Sequence, residues 1–101
     1  MTKIINGRKY STKTATFVGE VGYGYYGDLR WWNEELYVKR TGEFFLHGEG
    51  GAMSSYCEKV GPNEWGGSEK IIPLTYEEAE EWAEEHLDYE IFIEYFGDAE
   101  E

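Results

Sequence analysis

Three side chains in this sequence offer a nucleophile or a soft metal ligand: His47, Cys57 and His86. A zinc site needs such ligands clustered at fixed spacing. A Cys–His catalytic pair needs the base within hydrogen-bond reach of the thiol. The three stand far apart in the chain and read as scattered core or surface residues, so neither a metal nor another cofactor is expected. Carboxylates are plentiful, but none lies in an apolar setting that would single it out as a general acid. The run Gly22-Tyr23-Gly24-Tyr25-Tyr26-Gly27 has the letters of a dinucleotide fingerprint. That motif works only between a strand and a helix N-terminus in a βαβ unit. Here two tyrosines crowd the loop and no acidic-ended second strand follows. The sequence therefore carries no catalytic cluster, and a protein that is not an enzyme is expected.

A different chemistry is concentrated near the C-terminus. Glu77, Glu78, Glu80, Glu81, Glu84 and Glu85 fall within nine residues, with Asp88 just beyond. Thr75 followed by Glu78 is a capping box, the signature of a helix start. At about 100° per residue, Tyr76, Ala79, Trp82, Ala83 and Leu87 share one face, and the six glutamates take the opposite one. Pairs such as Glu77/Glu81 and Glu80/Glu84 place like charges one turn apart, at a cost of about 0.2–0.5 kcal/mol each. Glu84 and Glu85 also oppose the helix dipole at its C-terminal end. Nine residues of helix rise about 13 Å, which gives roughly one charge per 2 Å. Duplex DNA carries one per about 1.7 Å. The face has two readings, a mimic of nucleic-acid charge or a device for solubility. A second candidate surface is the aromatic, glycine-rich tract Gly19–Trp32, where Tyr25, Tyr26 and Trp32 have the composition of interface anchors. On an extended segment, one of Trp31 and Trp32 would point inward and the other outward.

The charge of the whole chain follows from that segment. Among 101 residues, nine Lys and Arg stand against 21 Asp and Glu, a net charge of −12. Residues 1–76 are balanced, with nine of each sign, and residues 77–101 hold the other 12 acids with no Lys or Arg. Such a balance argues against direct DNA binding, which needs a basic surplus. A composition 41% hydrophobic and 18% aromatic excludes wholesale disorder. The single cysteine suits a reducing compartment, the N-terminus has no apolar signal region, and no apolar run is long enough for a membrane span. A cytoplasmic domain with no membrane partner is expected.

The elements that must position these residues read as follows. Lys3–Ile5 is a short strand before an Asn6-Gly7 hairpin turn. Thr12–Val18 reads as a second strand, and Gly19–Trp32 as a loop. Within Glu35–Gly48, two aromatic and β-branched runs flank Thr41-Gly42 and make a β-hairpin. Met53–Val60 suits a short helix, Gly66-Gly67 a loop and Lys70–Leu74 a short buried strand. After the glutamate helix, Asp88–Phe96 fits either a strand or a helix by period, and a short helix ending at Gly97 is favoured. Strands followed by helices give an α+β class. The expected architecture is one domain over 1–97, a small antiparallel sheet with a central hairpin, packed by the acidic helix and a second short helix. Residues 98–101 form an acidic tail.

The segments Lys3–Gly7 (KIING), Leu36–Met53 (LYVKRTGEFFLHGEGGAM) and Glu69–Leu87 (EKIIPLTYEEAEEWAEEHL) together resemble a group of small acidic proteins. These are carried on plasmids, phages and conjugative elements of low-GC Gram-positive bacteria, and some inhibit the type II-A CRISPR effector Cas9. The resemblance spans about 40 residues in three blocks and carries no active-site residue. It implies an anti-CRISPR protein in a bacterial host whose partner is Cas9, apo or guide-RNA-loaded. The acidic surface would block guide-RNA loading or target-DNA binding in the positively charged channels of that effector. Alternatives are an acidic DNA mimic aimed at another DNA-binding protein, in the manner of antirestriction proteins, and an enzyme acting on guide RNA.

Overall fold

A computed structural model describes residues 1–97. The acidic tail expected at 98–101 lies outside the described residues. The chain opens with strands β1 (Thr2–Ile5) and β2 (Arg8–Ser11), a hairpin closed by Asn6 and Gly7, both in the left-handed region. Two successive positive-φ residues make the tight turn whose twist matches the flanking strands. Next come β3 (Thr16–Tyr23), β4 (Trp32–Val38) and β5 (Phe44–Gly50), then the small hairpin β6 (Glu58–Gly61) and β7 (Glu64–Gly66). Strand β8 (Ser68–Leu74) and helices α1 (Tyr76–His86) and α2 (Tyr89–Phe96) complete the fold. The main sheet is antiparallel in the order β3-β4-β5-β8, with the β4–β5 hairpin at its centre. The α+β class, the central hairpin and the two C-terminal helices are those expected from the sequence.

Both faces of this sheet are covered, which explains why Phe44, Phe45 and Leu46 are all buried in a row on β5. On one face Val18, Leu36, Phe44, Leu46 and Ala79 form a core completed by Trp82, Leu87, Ile91 and Phe96 of the helices. On the other, Tyr37, Phe45 and Ile71 pack under Tyr10 and Ile5 of the β1–β2 hairpin. Phe45 stacks on Tyr37 at 5.3 Å and meets Tyr10 edge-on at 5.5 Å. Deleting a buried ring of this kind costs about 3–5 kcal/mol.

Several boundaries differ from the sequence reading: Gly66 belongs to β7, and the strand expected to be buried at Lys70–Leu74 starts at Ser68 with only Ile71 buried. Three further differences have a local reason. The strand expected at Thr12–Val18 is split: β2 ends at Ser11, and Ala15 N donates to Ser11 O across a turn before β3 starts at Thr16. The Asn6-Gly7 turn sets this, because the register it fixes pairs Ser11 with Thr2, where β1 begins, and β2 has no strand partner beyond it. The tract Gly19–Trp32 is a loop only from 24 to 31, since β3 runs on to Tyr23, which pairs with Trp32. Gly19 sits at a bulge in β3, and its missing side chain makes room for Leu87. Met53–Val60 is not a helix. Ser54 closes a turn by donating to Gly51 O and accepting from Tyr56 N, and the chain then extends into β6.

That turn drives Tyr56 down onto β5. Its ring lies where a side chain on Gly48 would be, against three of its atoms. The ring cannot step aside, because it is buried and its hydroxyl donates to Glu34. Gly48→Ala is therefore expected to destabilise the fold by about 1–3 kcal/mol. Each kcal/mol lowers the melting temperature of a domain this size by about 4–8 °C, measurable by circular dichroism. An unchanged melting temperature would contradict the packing.

Candidate acidic interaction surface

Helix α1 begins where the capping box places it. Thr75 Oγ1 accepts from Glu78 N at 3.1 Å, and Glu78 Oε1 accepts from Thr75 N at 2.9 Å. Ala79 and Ala83, one turn apart, are fully buried, so the helix approaches the sheet closely. Trp82 and Leu87 flank them half-buried, and Tyr76 leans on Phe44 and Phe96 while its outer edge stays exposed. Glu77, Glu78, Glu81, Glu84 and Glu85 are exposed and Glu80 is half-buried. Among the described residues no Lys or Arg pairs with any of the six, and the one imidazole near them is His86, with Nε2 3.7 Å from Glu85 Oε2. Asp88 is the N-cap residue of α2, but its side chain makes no capping bond and is exposed.

The helix is tied to the sheet through Glu34. Trp82 Nε1 donates to Glu34 Oε1 at 2.9 Å, and Tyr56 donates to Oε2. Burial, reinforced by the bond to and the charge of Glu34, pushes the Tyr56 hydroxyl well above the usual phenol range, so it remains a donor. Trp32, two residues before Glu34 on the same strand, lies on the helix side of the sheet and is half-buried. Trp31 is half-buried as well, in the loop outside the strand, so the pair does not share the extended segment on which an inward–outward split was expected.

Tyr25 and Tyr26 are exposed at 77% and 86% in the 24–31 loop. That loop is anchored to the far end of the β5 region, where Gly51 N donates to Trp31 O and Met53 N to Leu29 O. The Tyr26 ring tilts against Trp31 at 5.5 Å. Together with Asp28, Glu49 and Glu69 they line a cleft of about 470 Å³. The structure thus gathers the glutamates on α1 and places Trp32 on the same face of the sheet as that helix. It places Tyr25 and Tyr26 in a separate loop. The glycine run there leads into the antiparallel strand β4, not a helix, as the rejection of a dinucleotide site requires.

One polar cluster escaped the sequence reading. On the face opposite α1, His47 Nδ1 lies 2.8 Å from Glu35 Oε1 and Nε2 lies 3.0 Å from Glu69 Oε2. Register brings Glu20 opposite Glu35 and Glu49 opposite Glu69, so the two carboxylates that His47 meets each have a second one beside them on the same face. The signal lay in the strand period, because residues 35 and 37, and 45 and 47, must share a face. Cys57 makes no hydrogen bond to either histidine among the described residues, and no group there has metal-holding geometry. No helix of the described residues is long and apolar enough to cross a membrane. Comparisons with protein-family models, curated proteins and solved structures return no match.

Burial opposes a charge on His47, but the hydrogen bonds and charges of Glu35 and Glu69 outweigh it and raise its pKa above the usual imidazole value. The sign follows from linkage. A raised pKa contributes stability that is full below about pH 6.5 and is lost as pH rises through the folded-state value. Urea unfolding from pH 5.5 to 8.5 should show stability falling with pH in this range, and His47→Gln should flatten the slope. A His47 ring that titrates below the ordinary imidazole range by NMR would contradict the ion-pair geometry.

Proposed function

We propose that this chain is a stoichiometric inhibitor of the type II-A effector Cas9, binding it through the outward face of α1. One observation carries the reading: six glutamates, five of them exposed, stand on one helix with no Lys or Arg partner among the described residues. A helix face selected only for exposure would gain from Glu–Lys pairs one turn apart. Here the repulsion is retained, and a basic partner would relieve it. The charge density is close to that of a duplex, and Cas9 holds its nucleic acids in positively charged channels. The likeness of Lys3–Gly7, Leu36–Met53 and Glu69–Leu87 to anti-CRISPR proteins of Gram-positive mobile elements supports the same partner.

Glu77, Glu81 and Glu84 lead the contact, with Glu80, Glu85 and Asp88 broadening it and Trp32 at its margin. Glu78 contributes less, since its carboxylate is engaged in the cap. Tyr25 and Tyr26 serve as aromatic anchors on the separate 24–31 loop. The interaction requires no turnover and no cofactor. It competes with nucleic acid for a channel, so the α1 face itself binds no DNA.

The test is DNA cleavage by purified Cas9 with the protein added before or after guide RNA. The wild-type chain should inhibit at about one molecule per effector. The triple variant Glu77→Lys/Glu81→Lys/Glu84→Lys should keep its circular dichroism spectrum and lose inhibition by about 100-fold or more, as expected where several charge contacts reverse sign. Inhibition confined to addition before the guide locates the block at loading, and inhibition after it locates the block at DNA recognition. Full activity of the triple variant would overturn the charge-mimic mechanism. Cleavage unaffected by the wild-type chain would overturn Cas9 as the partner.

A further inference from the structure

The net charge of −12 conceals a basic pole. Residues 1–19 contain Lys3, Arg8, Lys9 and Lys13 and no acid. The β1–β2 hairpin that carries most of them packs on the face of the sheet opposite the helices. The β4–β5 turn adds Lys39 and Arg40 at the same place, joined to the hairpin by the Arg8–Glu43 pair at 3.3 Å. Six of the chain's nine basic residues thus meet there, with Glu43 as the one acid of that turn.

The pole is concave. Lys9, Lys39 and Arg40 line a cleft of about 290 Å³ with Thr14 and Thr41, and the buried Ser11 at its floor. Lys39 is held in place by the Tyr10 ring, 4.1 Å from its ammonium, and by Glu43 at 3.1 Å. Glu43 also accepts from Thr41 and pairs with Arg8, so its charge is already neutralised. Lys9, Arg40 and the Thr14 hydroxyl have no hydrogen-bonding or ionic partner among the described residues, and Arg8 and Lys13 are the chain neighbours of the cleft residues Lys9 and Thr14.

We infer that this cleft binds a backbone phosphate of a single-stranded nucleic acid, with flanking phosphates meeting Lys13 and Arg8. Cations with neighbouring hydroxyls in one concavity suit a multi-oxygen anion, and Lys, Arg, Ser and Thr are the side chains that contact nucleic-acid phosphates. A row of cations continuing beyond the cleft suits a polymer better than a lone ion. The acidic helix does not cancel the attraction. Packed layers sit about 10 Å apart, so the helix and hairpin are separated by the sheet and by more than the Debye length of about 10 Å at 0.1 M salt. This site is independent of what covers α1.

The test is fluorescence anisotropy of a labelled 20-nucleotide single-stranded RNA with the full chain and no other protein. Binding should be measurable at 20 mM NaCl. With about three phosphates neutralised, affinity should fall about 100-fold by 200 mM. Lys9→Glu/Arg40→Glu should abolish binding. Lys9→Gln/Arg40→Gln, which perturbs the fold less, should weaken it about tenfold or more, with melting curves confirming that both variants fold. Glu77→Lys/Glu81→Lys/Glu84→Lys should retain it, which separates this inference from the acidic-face reading. No anisotropy change at 20 mM, or unchanged binding by the folded charge-reversal variant, would overturn the proposal. Displacement of the RNA by 1 mM inorganic phosphate would assign the cleft to a free anion, and equal displacement by polyglutamate would assign it to acidic protein; either result overturns it.

Discussion

The carboxylate of Glu34 is the constraint on which the arrangement of this protein turns. It lies on the central hairpin, under the acidic helix, and receives donors from two elements that are distant in sequence. Trp82 fixes the rotation of α1, and Tyr56 fixes the turn between β5 and β6. A partly buried carboxylate is costly unless its oxygens are bonded, and here each oxygen has a donor. Because Trp82 is held inward, the glutamates on the opposite arc of the helix are held outward. Gly48 completes the device by leaving room for the Tyr56 ring.

A sheet covered on both faces also segregates charge. The helical layer carries the glutamate face, and the hairpin layer together with the adjoining β4–β5 turn carries six of the nine cations. Between them, on the part of the hairpin-side face that β1 and β2 leave open, His47 draws together Glu35 and Glu69. The chain is therefore electrostatically three-part: an acidic helix with no Lys or Arg partner among the described residues, a histidine-bridged acidic patch and a basic cleft. Net charge describes none of these, because interactions beyond about 10 Å are screened at ordinary salt and partners meet the local surface.

Legibility in the sequence followed the range of the interactions. The capping box of Thr75 and Glu78, the glutamate arc and the β4–β5 hairpin are set by residues a few positions apart, and each lies where periodicity places it. The hairpin β6–β7 and the extension of β3 to Tyr23 were not legible. Both depend on distant partners: Tyr56 on Gly48 and Glu34, and Tyr23 on Trp32. The His47 cluster and the basic cleft share that cause. Their members come from three or four strands or turns, and only register and layer packing bring them together. In linear order the same cations are diluted among neutral residues, which is why an overall acidic balance hid the basic pole.

The central claim is that the outward face of α1 is a docking surface for a positively charged nucleic-acid channel. Isothermal titration of the chain into purified type II-A Cas9 at 50 mM and 500 mM NaCl tests it most directly. The account predicts saturable one-to-one binding at low salt that weakens by about tenfold or more at high salt, since screening acts on exposed charges. No saturable heat at 50 mM, or an affinity indifferent to salt, would contradict it.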